Sequence, residues 1–330
     1  MSSGAKSLSV ITALMPGIAL AGCVAFIAYV AQSWLGYSVM LYALLLGMPL
    51  YRIGARERFN PGIVFSAKKI LRFGVALLGL RLTLGDVVSL GLPTLALVIA
   101  GITLTMTVGV MIARSLGLKS DFAVLCAGAV AICGASAALA VSAVLPQHEA
   151  SERQTILTVI GVTALSTVAM VAYPPLASWL GFDDITAGVF VGATIHDVAQ
   201  VVGAGYTISD AAGQTATLVK LMRVACLIPV VAVIAYVFRR QTAGEGKTPA
   251  LPFFLIGFVL LMLLNSTGLI PAPVVAALSQ LSGFCLVLAV AALGIKTSLG
   301  GLVSVGVGPI IAITLQTILL ALFAALVLMA

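Results

Sequence analysis

Apolar residues run along this chain in blocks of roughly twenty, separated by short polar connectors, which predicts helices that span a bilayer. The blocks fall near 9–31, 37–54, 62–81, 87–112, 122–145, 154–178, 185–207, 214–238, 251–268, 272–294 and 301–329. The pattern predicts an all-α polytopic membrane protein of about eleven membrane segments, with 9–31 as the first spanning helix of a single transmembrane domain over 1–330. The longest polar connectors are Arg52–Asn60, Pro146–Arg153 and Arg239–Thr248, too short to hide a soluble domain. Function is therefore expected inside the membrane.

Two stretches superimpose. Gly79–Gly91 and Gly294–Gly306 share six of thirteen positions, and Arg81/Lys296 and Thr83/Ser298 are conservative pairs. This relates about 37–112 to 251–329. A weaker match aligns Gln154-Thr155 with Gln214-Thr215 and Val171-Ala172 with Val231-Ala232, relating about 122–178 to 185–238. In the expected topology the segment ending at Arg81 runs outward and the one ending at Lys296 inward, so the repeat is inverted, as in many secondary transporters. The second pair is inverted as well only if 122–145 and 185–207 are re-entrant or interrupted, and strongly interrupted or re-entrant helices are favoured because about 24 residues is short for a full helical hairpin.

Composition sharpens this picture. Of 330 residues 62% are hydrophobic and 8% charged, and the net charge of +7 comes from basic residues gathered in alternate connectors. Arg52, Arg56 and Arg58, then Arg114 and Lys119, then Arg239, Arg240 and Lys247 are expected to face the cytoplasm, and Lys6 places the N-terminus there. The crossings then leave the C-terminus outside, in a multi-pass protein of a bacterial inner membrane. The charge distribution is a topology signal and implies no nucleic-acid partner. Five cysteines in apolar runs lack Cys-x-x-Cys spacing, so neither a disulfide framework nor a metal site is expected. No Gly-x-x-x-x-Gly-Lys-Ser/Thr pattern or cofactor motif occurs, so energy must come from a gradient or another subunit.

Against this background the intramembrane charges stand out, because each costs about 2.5–3.5 kcal/mol at bilayer depth even on lenient scales. His196 and Asp197 interrupt one apolar run, and Lys220 and Arg223 lie one turn apart in the next. A helix break at Cys133-Gly134-Ala135-Ser136 would expose backbone amides that favour an anion, although tight Gly/Ala/Ser packing explains the same residues. In the matching segment Thr194 flanks the charges, and His196 and Gln200 would share a face if helical, both able to donate to an oxyanion. Lys220 and Arg223 would hold that anion, with Asp197 and His196 as candidates for proton coupling. In the plain structural alternative Asp197 merely pairs with Lys220 or Arg223. Arg81, Lys296 and the Lys68-Lys69-Arg72 group are expected to snorkel, with an electrostatic funnel for anions as their other role. Ser136 with His196 is the sole nucleophile–base candidate and is a weak one, so the chain is not expected to be an enzyme.

These residues resemble the YeiH-type sulfate exporters, a family of bacterial inner-membrane proteins. The resemblance rests on Ile-Cys133-Gly134-Ala135-Ser136-Ala, Gly-Ala-Thr-Ile-His196-Asp197-Val-Ala-Gln200-Val, Lys220-Leu-Met-Arg223-Val and Leu-Gly79-Leu-Arg81, and covers nearly the whole chain. Many members carry Glu where this chain has Asp197. The resemblance implies efflux of sulfate or an organosulfonate, and a kinship with inverted-repeat transporters that have interrupted helices. The expectation is a secondary active transporter of a small inorganic or organic anion. A cation/proton antiporter using Asp197 and Lys220 is the first alternative, and a non-coupled channel or membrane subunit the second. A homodimer would suit such a transporter, but no residue here specifies one.

Overall fold

The structure, a computed structural model, describes residues 2–35, 39–238, 253–296 and 307–330. In chain order the elements are α1 (Ser2–Leu35), α2 (Val39–Gly47), a 3-10 turn (Met48–Leu50), α3 (Tyr51–Gly54), α4 (Asn60–Phe65), a π turn (Ser66–Ile70), α5 (Leu71–Leu78) and a second 3-10 turn (Gly79–Arg81). Next come α6 (Leu84–Ser115), α7 (Ser120–Ala131), α8 (Ala135–Ser142), α9 (Ser151–Trp179), α10 (Asp184–Thr194), α11 (Val198–Ile208), α12 (Asp210–Ala225) and α13 (Leu227–Phe238). The chain ends with α14 (Phe253–Ser266), α15 (Ala272–Lys296) and α16 (Val307–Met329).

Helices occupy every apolar block, but among the described residues six are long and apolar enough to cross a bilayer unaided: Thr12–Leu35, Leu90–Ser115, Ser151–Trp179, Asp210–Phe238, Ala272–Lys296 and Val307–Met329. The other blocks hold shorter pieces, and local chemistry explains where several divide. Ser66 donates its hydroxyl to the Gly62 carbonyl where α4 opens into the π turn, so block 62–81 is not one α-helix. Pro229 has no N–H to offer the Ala225 carbonyl, and α12 gives way to α13 at Cys226. Gly91 adopts φ 69°, ψ 175° two residues before Pro93, splitting the short start of α6 from its spanning part. The basic connector 239–248 and the second repeat stretch beyond Lys296 lie outside the described residues.

The chain forms two compact units. Unit one comprises Met1–Ser89, Val202–Gln214 and Phe253–Ser298; unit two comprises Leu90–Val201, Thr215–Pro252 and Leu299–Ala330. Within unit one α15 packs on α1, α2 and α5, and α14 packs on α5. Two glycine crossings mark these contacts. A Cβ on Gly79 would lie 2.3 Å from the Phe258 carbonyl oxygen, and one on Gly294 2.4 Å from that of Leu44. The superposition of the repeat stretches carries Gly79 onto Gly294 but Leu44 onto Val259, so the two crossings differ by one residue in register. Within unit two α7 and α8 pack on α9, and α16 packs on α7, α9 and α10. The order helix, break, helix occurs twice there, at α7–α8 and at α10 leading into α11.

Candidate functional site

The first break follows Ala131. Ile132 leaves helical geometry at φ −117°, ψ −84°, and Gly134 adopts φ 62°, ψ −121°, a region that a side chain would strain. The second break begins at Ile195, extended at φ −68°, ψ 140°. The two breaks abut, since a Cβ built on Gly134 would sit 3.5 Å from the Cβ of His196. Tight packing brings α12 to the same place: a Cβ on Gly192 would meet the Ala216 carbonyl oxygen at 2.5 Å.

Lys220 and Arg223, at most 1% exposed, extend from α12 into this junction. Lys220 Nζ donates to the Ile132 carbonyl at 2.7 Å and to the Ile195 carbonyl at 2.8 Å. Arg223 donates to Val130 at 3.0 Å, Ala131 at 2.8 Å, Ile195 at 3.0 Å and, at 3.4 Å, Gly192. The basic pair thus caps the carbonyl ends of both first half-helices. Each such end carries roughly half a negative charge, so the two together offset about one of the two cations. Among the described residues the only side-chain ion pair within 4.0 Å joins His148 and Asp121, so Asp197 is not in a salt bridge with either base.

Asp197 has a different partner. One carboxylate oxygen accepts the Ala199 N–H at 3.2 Å, and the Asp197 N–H donates to Ser166 Oγ at 3.1 Å. The half-buried acid is therefore the N-cap of α11, a role for which a short carboxylate suits. No side chain plays that part for α8, whose N-cap is Gly134. Ser136, exposed in the first turn of α8, and the half-buried Ala135 lie at this uncapped end. Cys133, in the break itself, is buried.

His196 stands in the break itself, ahead of α11, so it does not share a helical face with Gln200 as the spacing suggested. Its ring is fully buried, with Nδ1 3.2 Å from the Val130 carbonyl and Nε2 2.9 Å from Thr317 Oγ on α16. A carbonyl only accepts, so Nδ1 carries a proton and donates. In the neutral ring Nε2 then accepts from Thr317; in the charged ring it donates, and the Thr317 proton goes to the Ile313 carbonyl, 2.8 Å away. Both ring nitrogens are engaged within the protein, which removes His196 as a direct oxyanion donor. Thr194 likewise spends its hydroxyl on the Phe190 carbonyl. Gln200 is fully buried, its Nε2 3.5 Å from Thr167 Oγ and its Oε1 without a partner among the described residues.

The sequence reading missed Ser166, Thr167 and Thr317, because hydroxyls in apolar helices ordinarily bond their own turn and carry no special signature. It also missed the carbonyls of Val130, Ala131, Ile132 and Ile195, since a backbone acceptor has no residue type. Asp183 accepts the Thr186 N–H at 2.8 Å at the start of α10, a bond that holds its carboxyl below the usual range.

A family profile described as "Conserved hypothetical protein 698" matches residues 16–313. The UPF0324 membrane protein TauZ of Paracoccus denitrificans is 48% identical over 322 residues, 96% of this chain and 95% of that protein. A UPF0324 membrane protein of Chlorobaculum tepidum is 46% identical over 310 residues, covering 93% and 87%, and one of Rhizobium meliloti is 43% identical over 323 residues, covering 96% and 94%. No solved structure matches the chain. With six helices able to span a bilayer and this similarity along almost its whole length, the chain belongs to the UPF0324 family of multi-pass membrane proteins.

Proposed function

We propose that the protein is a secondary active transporter of a small oxyanion, sulfate or an organosulfonate, exported across the bacterial inner membrane. The anion binds at the amino end of α8, around Cys133, Gly134, Ala135 and Ser136, and Lys220 and Arg223 act on it through their field rather than by direct contact. One observation carries this reading: α8 starts without a side-chain cap beside two buried basic side chains, whereas the matching start of α11 is already closed by Asp197. A helix amino end in a water-poor setting favours an anion through its free amides and its dipole. Asp197 and the His196–Thr317 pair are the coupling candidates, because a proton added to either changes a hydrogen bond at the breaks. α7–α8 and α10–α11 enter the bilayer from opposite sides as interrupted, re-entrant hairpins, with the N-terminus cytoplasmic.

The cation/proton alternative needs Lys220 to compete for Asp197, and the Lys220 ammonium is instead held by two carbonyls. Flux in proteoliposomes separates the readings. Radiolabelled sulfate and ethanesulfonate should be carried by the wild type, and Ser136→Asp should lose at least about tenfold, while Ser136→Ala keeps most flux. The introduced carboxylate suits a helix amino end, so the fold survives and only the anion is repelled. Undiminished oxyanion flux in Ser136→Asp refutes the site; Na⁺ or H⁺ exchange without oxyanion supports the antiporter; unsaturable, counter-ion-independent current supports a channel.

A further inference from the structure

Unit one holds a cavity of about 330 Å³ among the carboxyl end of α1, the Gly79–Arg81 turn, the segment from Tyr206 to Asp210, and α15. That volume falls at the lower end of the roughly 300–1,000 Å³ range of small-molecule sites. Arg81 is its cation. The guanidinium is half-buried, and one of its terminal nitrogens donates to the Ser279 carbonyl at 2.7 Å. A Cβ on Gly283 would stand 3.4 Å from the same nitrogen, so glycine there leaves the guanidinium room. Tyr29, Gln32 and Tyr206 line the space with it, and the one acid in the lining, Asp210, is exposed and not within ion-pair distance of Arg81. A snorkelling arginine would extend into water; this one is tethered by a backbone carbonyl inside a polar hollow.

We propose that this cavity is a second anion site, which takes a sulfonate- or phosphate-like oxyanion carried on a short organic body. Arg81 supplies charge and planar donors, and the two phenols and the Gln32 amide orient the rest. The repeat places Lys296 at the position matching Arg81, also at a helix end within unit one, so the chain keeps a cation at both repeat-related positions. The oxyanion chemistry belongs to a free anion or to an anionic lipid headgroup. Only the free-anion version rests on the transport reading given above.

The Ser136→Asp protein, in which the α8 site is blocked, isolates this cavity. Calorimetric titration with ethanesulfonate should still show saturable binding, weakened at least tenfold by Arg81→Gln and largely restored by Arg81→Lys, at unchanged melting temperature. In nanodiscs, displacement of ethanesulfonate by phosphatidylglycerol but not by phosphatidylcholine assigns the site to the lipid headgroup; no displacement assigns it to the free anion. Two results overturn the proposal: equal binding in Arg81→Gln and its parent, or neither saturable ethanesulfonate binding nor phosphatidylglycerol-selective retention in the parent. If the wild type carries no oxyanion yet Arg81→Gln abolishes binding, the transport reading falls and this one stands.

Discussion

The two breaks in unit two share a construction and differ in what closes them. At both, a half-helix ends with its carbonyls on the Lys220–Arg223 pair. Beyond the break the second half-helix starts under glycine in one case and under a carboxylate in the other. The carbonyl ends are thus treated alike and the amide ends oppositely, which leaves the first break as the place for an anion and the second as the place for a fixed negative charge. The weak repeat aligns the two bases with Ile160 and Thr163, so a single pair, present in one half only, serves both breaks.

Arg223→Met should break the comparison most severely. It strips both carbonyl ends of a buried fork of donors, and a loss of about 3–5 kcal/mol is the scale for removing one partner of a buried charged cluster. Loss of the folded species in size-exclusion chromatography is the readout, and a melting temperature within a degree or two of wild type would refute it. Gly134→Ala forces a side chain into a left-handed conformation at the first break alone, at a cost of about 1–2 kcal/mol. The same change at Gly192 acts instead through overpacking against the Ala216 carbonyl oxygen and the Val219 Cβ, at about 1–3 kcal/mol, so thermal melts in which Gly192→Ala matches wild type while Gly134→Ala does not would refute this contrast.

Asp197→Ala uncaps α11 for about 1 kcal/mol and makes the second break resemble the first. Oxyanion binding should then become tighter or gain a second site while pH-driven transport declines; unchanged binding and unchanged pH dependence would remove Asp197 from both roles. Asp121→Asn should have the smallest effect. Asp121 lies in the first turn of α7, whereas Asp183 is the N-cap of α10, and Asp121 is bonded to His148. Burial raises its carboxyl, and the hydrogen bonds from His148 and the Phe122 N–H lower it by more, leaving it below the usual value. Its contribution, at most about 0.5 kcal/mol for a partly exposed pair, is present above the ordinary carboxylate range and fades as pH falls through the lowered value. Acid melts of wild type and Asp121→Asn should converge below that range.

Much of this molecule is legible in sequence because apolar block length and glycine placement are local properties. Helices occupy the apolar blocks, several running past the block ends as α1 does from Ser2 and α12 from Asp210, and the interruptions at Cys133–Ser136 and His196–Asp197 are visible as small or charged residues where a bilayer helix would not place them. The finer divisions, such as the π turn at Ser66–Ile70, follow from back-bonding that many serines make without consequence. His196 is the clearest misreading. Its spacing to Gln200 presumed a helix, whereas the chain is extended there and the ring is claimed by Val130 and Thr317, a residue 121 positions away.

Sequence by itself determined that the chain is a helical membrane protein, that four costly charges cluster in its second half, and that two segments are poised to break. Tertiary structure alone decided what those charges do. Lys220 and Arg223 find backbone carbonyls freed by the breaks, and Asp197 finds a freed amide, because a broken helix creates charged ends that exist only once the chain is folded. No residue code announces those partners, and they are what turn a list of buried ions into two differently closed breaks.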